Sequence, residues 1–247
     1  MNKKSQRGYL ILIFLLTVSS VISVYLPQGQ MISIQQQELP ASKNIIALVN
    51  FFIMLIIYGG LGYLGLRLSK KIEFPELWDN KYSVKEKLVY PALLGVTVGV
   101  FLIILDYIFS FFNGFGKLVH PPFPTSFFAS VSAGIGEELI FRLFFITFWV
   151  WLISKVILNG KYRNIVFWII TLFSAILFAG AHLPSIMFLV GAKTISGLSM
   201  ILIVELLILN SLISIPAAYY FRKYGILAAI SIHFWADIVW HFIYGLL

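Results

Sequence analysis

Nine ionisable side chains lie inside apolar runs of this 247-residue chain: Asp106, Glu137, Glu138, Arg142, His182, Glu205, His233, Asp237 and His241. Such groups cost roughly 2.5–3.5 kcal/mol each at the centre of a spanning helix, so they need partners or a water-filled cavity and mark function by default. Glu138 and Arg142 are four residues apart with the glutamate first, the favourable order for a helical ion pair, and each can offset the burial of the other. Glu137 is turned about 100° away around the same helix and has no local partner. A carboxylate in that position is a candidate general base. The plainer reading of these three residues is a structural ion pair with a spare acid beside it.

His182 follows Ala179, Gly180 and Ala181 and precedes Pro184. Small residues and a proline let backbone and imidazole face a tight polar interior. On its own a buried histidine reads as a packing residue, and only its company argues otherwise. His233 and Asp237 share a helical face, where the carboxylate could orient the imidazole, share a cation with it, or join it in a proton relay. Asp106, Glu205, Asn210 and His241 fit no motif. Asp106 reads as near an outer interface, Glu205 and Asn210 as ties between helices, and His241 as interfacial.

The elements that must position these groups are helices in lipid. Hydrophobic residues make up 60% of the chain and charged ones 11%, against roughly 25% charged in soluble domains. Runs long enough to span a bilayer fall near 8–26, 44–68, 88–112, 127–154, 165–190, 198–221 and 225–246. The expected fold is all-α, a polytopic bundle of seven transmembrane helices, or eight if the long fourth run is broken. The first run follows Lys3, Lys4 and Arg7 and lacks a small-residue cleavage signature, so it reads as a retained helix. With no cysteine, thiolate metal sites and cysteine nucleophiles are excluded.

The net charge of +8 points to topology rather than to nucleic acid, because the cations flank apolar spans. On one set of alternate loops stand Lys3, Lys4, Arg7, Arg67, Lys70, Lys71, Lys81, Lys85, Lys87, Lys155, Lys161, Arg163, Arg222 and Lys223. On the other stand only Lys43, Lys117 and Lys193. Fourteen against three puts the N-terminus in the cytoplasm and the C-terminus outside. The Pro-rich stretch around His120 is then outside.

Taken together, Glu137-Glu138-xxx-Arg142, Phe178-xxx-His182 and His233-xxx-Asp237, in that order on successive helices, resemble the CPBP intramembrane proteases, which include type II CAAX prenyl endopeptidases and bacterial Abi-type proteins. The resemblance covers about residues 127–245 and implies a catalytic core over 127–247, preceded by N-terminal helices and a cytoplasmic loop over 1–126. It implies cleavage of a membrane-embedded, lipidated or hydrophobic peptide, while the apolar runs give an integral, multi-pass protein and the Lys-rich N-terminus points to a bacterial cell membrane. By the same resemblance Glu137 activates water, His182 helps hold it, His233 and Asp237 stabilise the oxyanion, and Glu138 with Arg142 gives structural support.

The chain departs from the family at Asp237, where many members have asparagine. An amide can donate to an oxyanion, whereas an ionised carboxylate can only accept. Asp237 is therefore protonated, orients His233, or binds a cation. Leu143 stands where members often carry glycine. No cofactor is required by the favoured glutamate mechanism, but Glu137, His182, His233 and Asp237 include ligand types that zinc accepts. A proton-coupled transporter and a non-catalytic bacteriocin-immunity or scaffold protein are the alternatives.

One geometric tension follows. His182 lies about 26 Å above residue 165, whereas His233 lies about 12 Å above residue 225, at 1.5 Å per residue. Tilt, a kink at Pro184 or a deeper start of the last helix must bring them together.

Overall fold

The computed structural model describes residues 2–29 and 41–246. Among these residues there is no strand, and seven helices are long and apolar enough to cross a membrane. We number them α1 (Lys3–Tyr25), α2 (Lys43–Lys71), α3 (Lys85–Phe109), α4 (Thr125–Ile157), α5 (Arg163–Val190), α6 (Met200–Tyr224) and α7 (Ile226–Leu246). The shortest, with 21 residues, is about 32 Å long and matches a hydrocarbon layer of about 30 Å. The protein is thus an integral, multi-pass membrane protein.

Local chemistry sets the ends of these helices. The side chains of Asn2, Ser42 and Ser199 accept from the backbone N–H groups of Ser5, Ile45 and Leu202, capping α1, α2 and α6. Gly225 has φ of +92°, a left-handed conformation that lets α6 and α7 meet with one residue between them. The long fourth run is continuous, so the count is seven. It is the fifth that breaks: an α-helical part, Arg163–Gly180, gives way at Ala181 and His182 to Leu183–Val190. Pro184 sits in the first turn of the second part, where its missing N–H costs nothing.

The cation-rich loops gather at one end of the bundle. The segment between α2 and α3 lies across that end, where Glu76 accepts from Asn2 and Ser5, and Arg163 pairs with Glu73 at 3.4 Å. Lys155 donates to the carbonyl of Lys71, and Arg222 to Asn164 at 2.7 Å. Above it lies a closed apolar core built on Leu66, Leu77, Leu139, Leu143, Phe167 and Phe221. Lipid is as apolar as this core, so association depends on close packing rather than on solvent exclusion. Glycines provide it: Gly65 lies against Leu143, Gly95 against Ile232, and Gly134 against Phe234.

At the opposite end, the loop between α3 and α4 is tied down by buried polar groups. Asn113 donates to Glu205 at 2.7 Å, Leu118 N–H donates to Asp106 at 2.9 Å, and Ser199 donates to the Asn113 carbonyl at 2.6 Å. Glu205 therefore does tie elements together, as its place in an apolar run suggested. Asp106 lies at this end of its helix and is fully buried, because the loop folds back over it.

Candidate active site

Glu137 is the last residue of the α-helical first part of α4, and from Glu138 to Ile146 the helix is π-wound. In α7 the same change falls after Asp237, with π-winding over Ile238–Ile243. Widened turns of this kind recur at functional sites because they re-aim side chains. The small residues that precede Glu137 let α7 approach: a Cβ on Gly134 would lie 3.1 Å from Phe234.

This approach brings His233 between three carboxyl groups. Its Nδ1 lies 2.8 Å from Oε1 of Glu138, and its Nε2 lies 3.7 Å from Oε2 of Glu137 and 3.5 Å from Oδ2 of Asp237. Nδ1–H donates to Glu138, leaving Nε2 as the nitrogen that faces the other two carboxyl groups. Arg142 pairs with the same Glu138 oxygen at 3.1 Å. Its guanidinium also lies over the Phe178 ring, 4.6 Å from the centroid. The ion pair expected from spacing is present, and Glu138 carries a second duty that spacing did not reveal.

Burial differs sharply within the cluster. The side chains of Glu138 and Arg142 are fully buried, whereas that of Glu137 is 29% exposed. Glu137, His182, His233 and Asp237 all line one cavity of about 800 Å³. His182 sits at the break in α5 and donates Nδ1–H to the Phe178 carbonyl at 2.8 Å, so its Nε2 is the free acceptor. The Phe178 ring touches both imidazoles, at centroid distances of 5.1 Å to His182 and 5.6 Å to His233. The two imidazoles thus share one cavity and one aromatic neighbour despite their different heights above the starts of α5 and α7.

Among the described residues no three His, Asp or Glu side chains are grouped so as to hold a metal ion. The four ligand types noted in the sequence do not converge on one point as they stand.

Residues 119–239 match the family model for type II CAAX prenyl endopeptidase Rce1-like proteins. Over this segment, just under half of the chain, the protein is similar to the CPBP family of CAAX-type proteases. All four cavity-lining residues named above fall within it, as do Glu138 and Arg142. No curated protein and no solved structure matches the chain. For a membrane protein similar to a protease family over this segment, the buried cluster on α4 and α7 is the natural place to look for its chemistry.

Sequence reasoning missed one pair near this site. His120, in the loop before α4, approaches His241 of α7 with the two Nδ1 atoms 3.0 Å apart, so one ring donates and the other accepts. The rings are 121 positions apart in sequence, and no local period could have linked them. His241 also lines the cavity.

Proposed function

We propose that this protein is an intramembrane endopeptidase in which Glu137 activates water for attack on a peptide bond of a membrane-embedded, lipidated or hydrophobic peptide. The observation that carries the reading is the position of Glu137: it is the accessible carboxylate of the cluster, on the cavity wall and 3.7 Å from His233 Nε2. Water donates one proton to Glu137 while its oxygen attacks the scissile carbonyl carbon. His182 Nε2 accepts the second O–H and so orients the water. His233, held in one orientation by Glu138 and protonated on both nitrogens, donates Nε2–H to the developing oxyanion, and Asp237, protonated, donates its O–H. The C–N bond then breaks, the amine takes the proton from Glu137, and a carboxylic acid and an amine leave.

In this reading residues 127–247 form the catalytic core, since every polar group of the cluster comes from α4, α5 and α7. Residues 1–126 supply the opposite wall of the cavity, including Leu16, Ser20 and Tyr58. The asymmetry of lysine and arginine orients the N-terminus to the cytoplasm.

Glu137→Gln preserves shape and removes the base, and general-base catalysis is worth about 100-fold or more. Membranes carrying the wild-type or the Glu137→Gln protein are compared by proteomics, then the uncut candidate is incubated with each purified protein. Loss of cleavage in a folded variant is expected, and unchanged turnover would refute the assignment. Ion flux in liposomes that persists without any peptidase activity would identify a transporter instead.

A further inference from the structure

The cavity is built from one half of the bundle only. Its lining takes residues 16–28 of α1 and the loop beyond, 43–58 of α2, 102 of α3, 118–137 of the loop and α4, 178–189 of α5, 206–213 of α6 and 233–241 of α7. In α1 to α5 this is the part farther from the cation-rich end, and in α6 and α7 it is the middle of the span. Among the described residues, no lining residue comes from 2–15, 59–101, 138–177 or 214–232. Those stretches carry the closed core, where Leu139, Leu143, Phe167 and Phe221 are at most 1% exposed. Glu137 and His233 therefore stand on the floor of a cavity whose cytoplasmic side is packed hydrocarbon.

We infer that water and substrate reach Glu137 from the extracytoplasmic face, so that the substrates are peptide segments presented at the outer leaflet rather than chain ends modified in the cytoplasm. The inference rests on the protease reading of the cavity and on the orientation set by the cations. The mouth has the chemistry of a peptide seat. Ser20, Ser23, Gln28 and Asn50 offer hydrogen bonds on the side of α1 and α2, and Ile186 and Leu206 offer an apolar wall opposite. Lys43 is the lone lysine or arginine lining it among the described residues. A segment that is extended, partly apolar and free of its own cations near Lys43 suits this seat. A peptide entering from the cytoplasm would have to part the core between α2, α4 and α5.

The absence of cysteine makes the test direct. Single cysteines are placed at the mouth (Lys43→Cys, Ser185→Cys), inside the cavity (Ala133→Cys) and on the cation-rich end (Lys81→Cys, Lys161→Cys). Intact cells and permeabilised cells are then treated with a small, charged, membrane-impermeant methanethiosulfonate. Reaction of the mouth and cavity thiols in intact cells is expected, with the Lys81 and Lys161 positions reacting only after permeabilisation. The inference is overturned if the mouth or cavity thiols react only after permeabilisation, or if the cavity thiol reacts from neither side. Adding Glu137→Gln separates the two claims, because loss of the base leaves the labelling pattern unchanged. A correct labelling pattern without any cleavage would sink the protease reading and leave the access side standing.

Discussion

Glu138 is the residue on which the cluster turns, because one carboxylate oxygen serves both Arg142 at 3.1 Å and His233 Nδ1 at 2.8 Å. Both partners lie deep in the bundle, so neither can be rescued by water. Glu138→Ala leaves Arg142 as an unpaired buried charge, and breaking such a pair costs about 3–5 kcal/mol. A clearly lowered unfolding temperature in detergent is the expected outcome, with Glu137→Gln, on the exposed cavity wall, nearly unchanged in the same measurement. Asp237 is tested by its donors: an amide can donate to an oxyanion where an ionised carboxylate cannot. Asp237→Asn is expected to keep cleavage, and Asp237→Leu to lose about 100-fold or more, the usual cost of one oxyanion donor. Loss in both variants would mean that the reaction needs a carboxyl group there, and so proton exchange with His233. The Glu138–Arg142 pair was legible from a spacing of four, whereas the hydrogen bond to His233 was not, because it joins two helices whose relative depth no local period encodes.

The helices meet through backbone rather than through side-chain bulk. A Cβ on Gly65 would stand 2.3 Å from the Leu143 carbonyl oxygen, and one on Gly95 would stand 2.4 Å from that of Ile232, both immovable backbone atoms. Gly65→Ala and Gly95→Ala are expected to destabilise by about 1–3 kcal/mol, the usual cost of overpacking. A Cβ on Gly60 would meet nothing within 4 Å. Gly60→Ala should therefore be neutral or stabilising by up to about 1 kcal/mol through helix propensity. Thermal unfolding of the three variants in one detergent checks the contrast, and equal losses in all three would remove the close-approach account. The spans could be read from hydropathy, with only the continuity of the long fourth run left open. The π-wound turns after Glu137 and Asp237 could not, since no glycine or proline marks them in the residue order.

Across the molecule, polar contacts tie the loops at both ends and apolar packing fills the half of the bundle nearer the cations. His120 is part of the set at the end away from the cations: burial holds its imidazole down at about 4 from an ordinary 6.5. It faces His241, Trp240 and Tyr244. His120 stays neutral in the folded protein, while the unfolded chain takes up a proton below pH 6.5. Stability is therefore lost as pH falls from about 6.5 toward 4. The unfolding temperature of the wild type should fall across that window more steeply than that of His120→Phe, and parallel profiles would exclude a part for His120. Hydropathy and helical period are properties of neighbours along the chain, so residue order alone was enough to give the solvent, the apolar runs, the cation asymmetry and the ionisable groups within those runs. That Glu138 orients His233, that His182 stands at a break beside Phe178, and that the cavity opens away from the cations emerged only from the packed bundle. Those relations depend on how deep each helix sits and how closely its backbone approaches the next, which joins residues far apart in the chain and so is written in no local period.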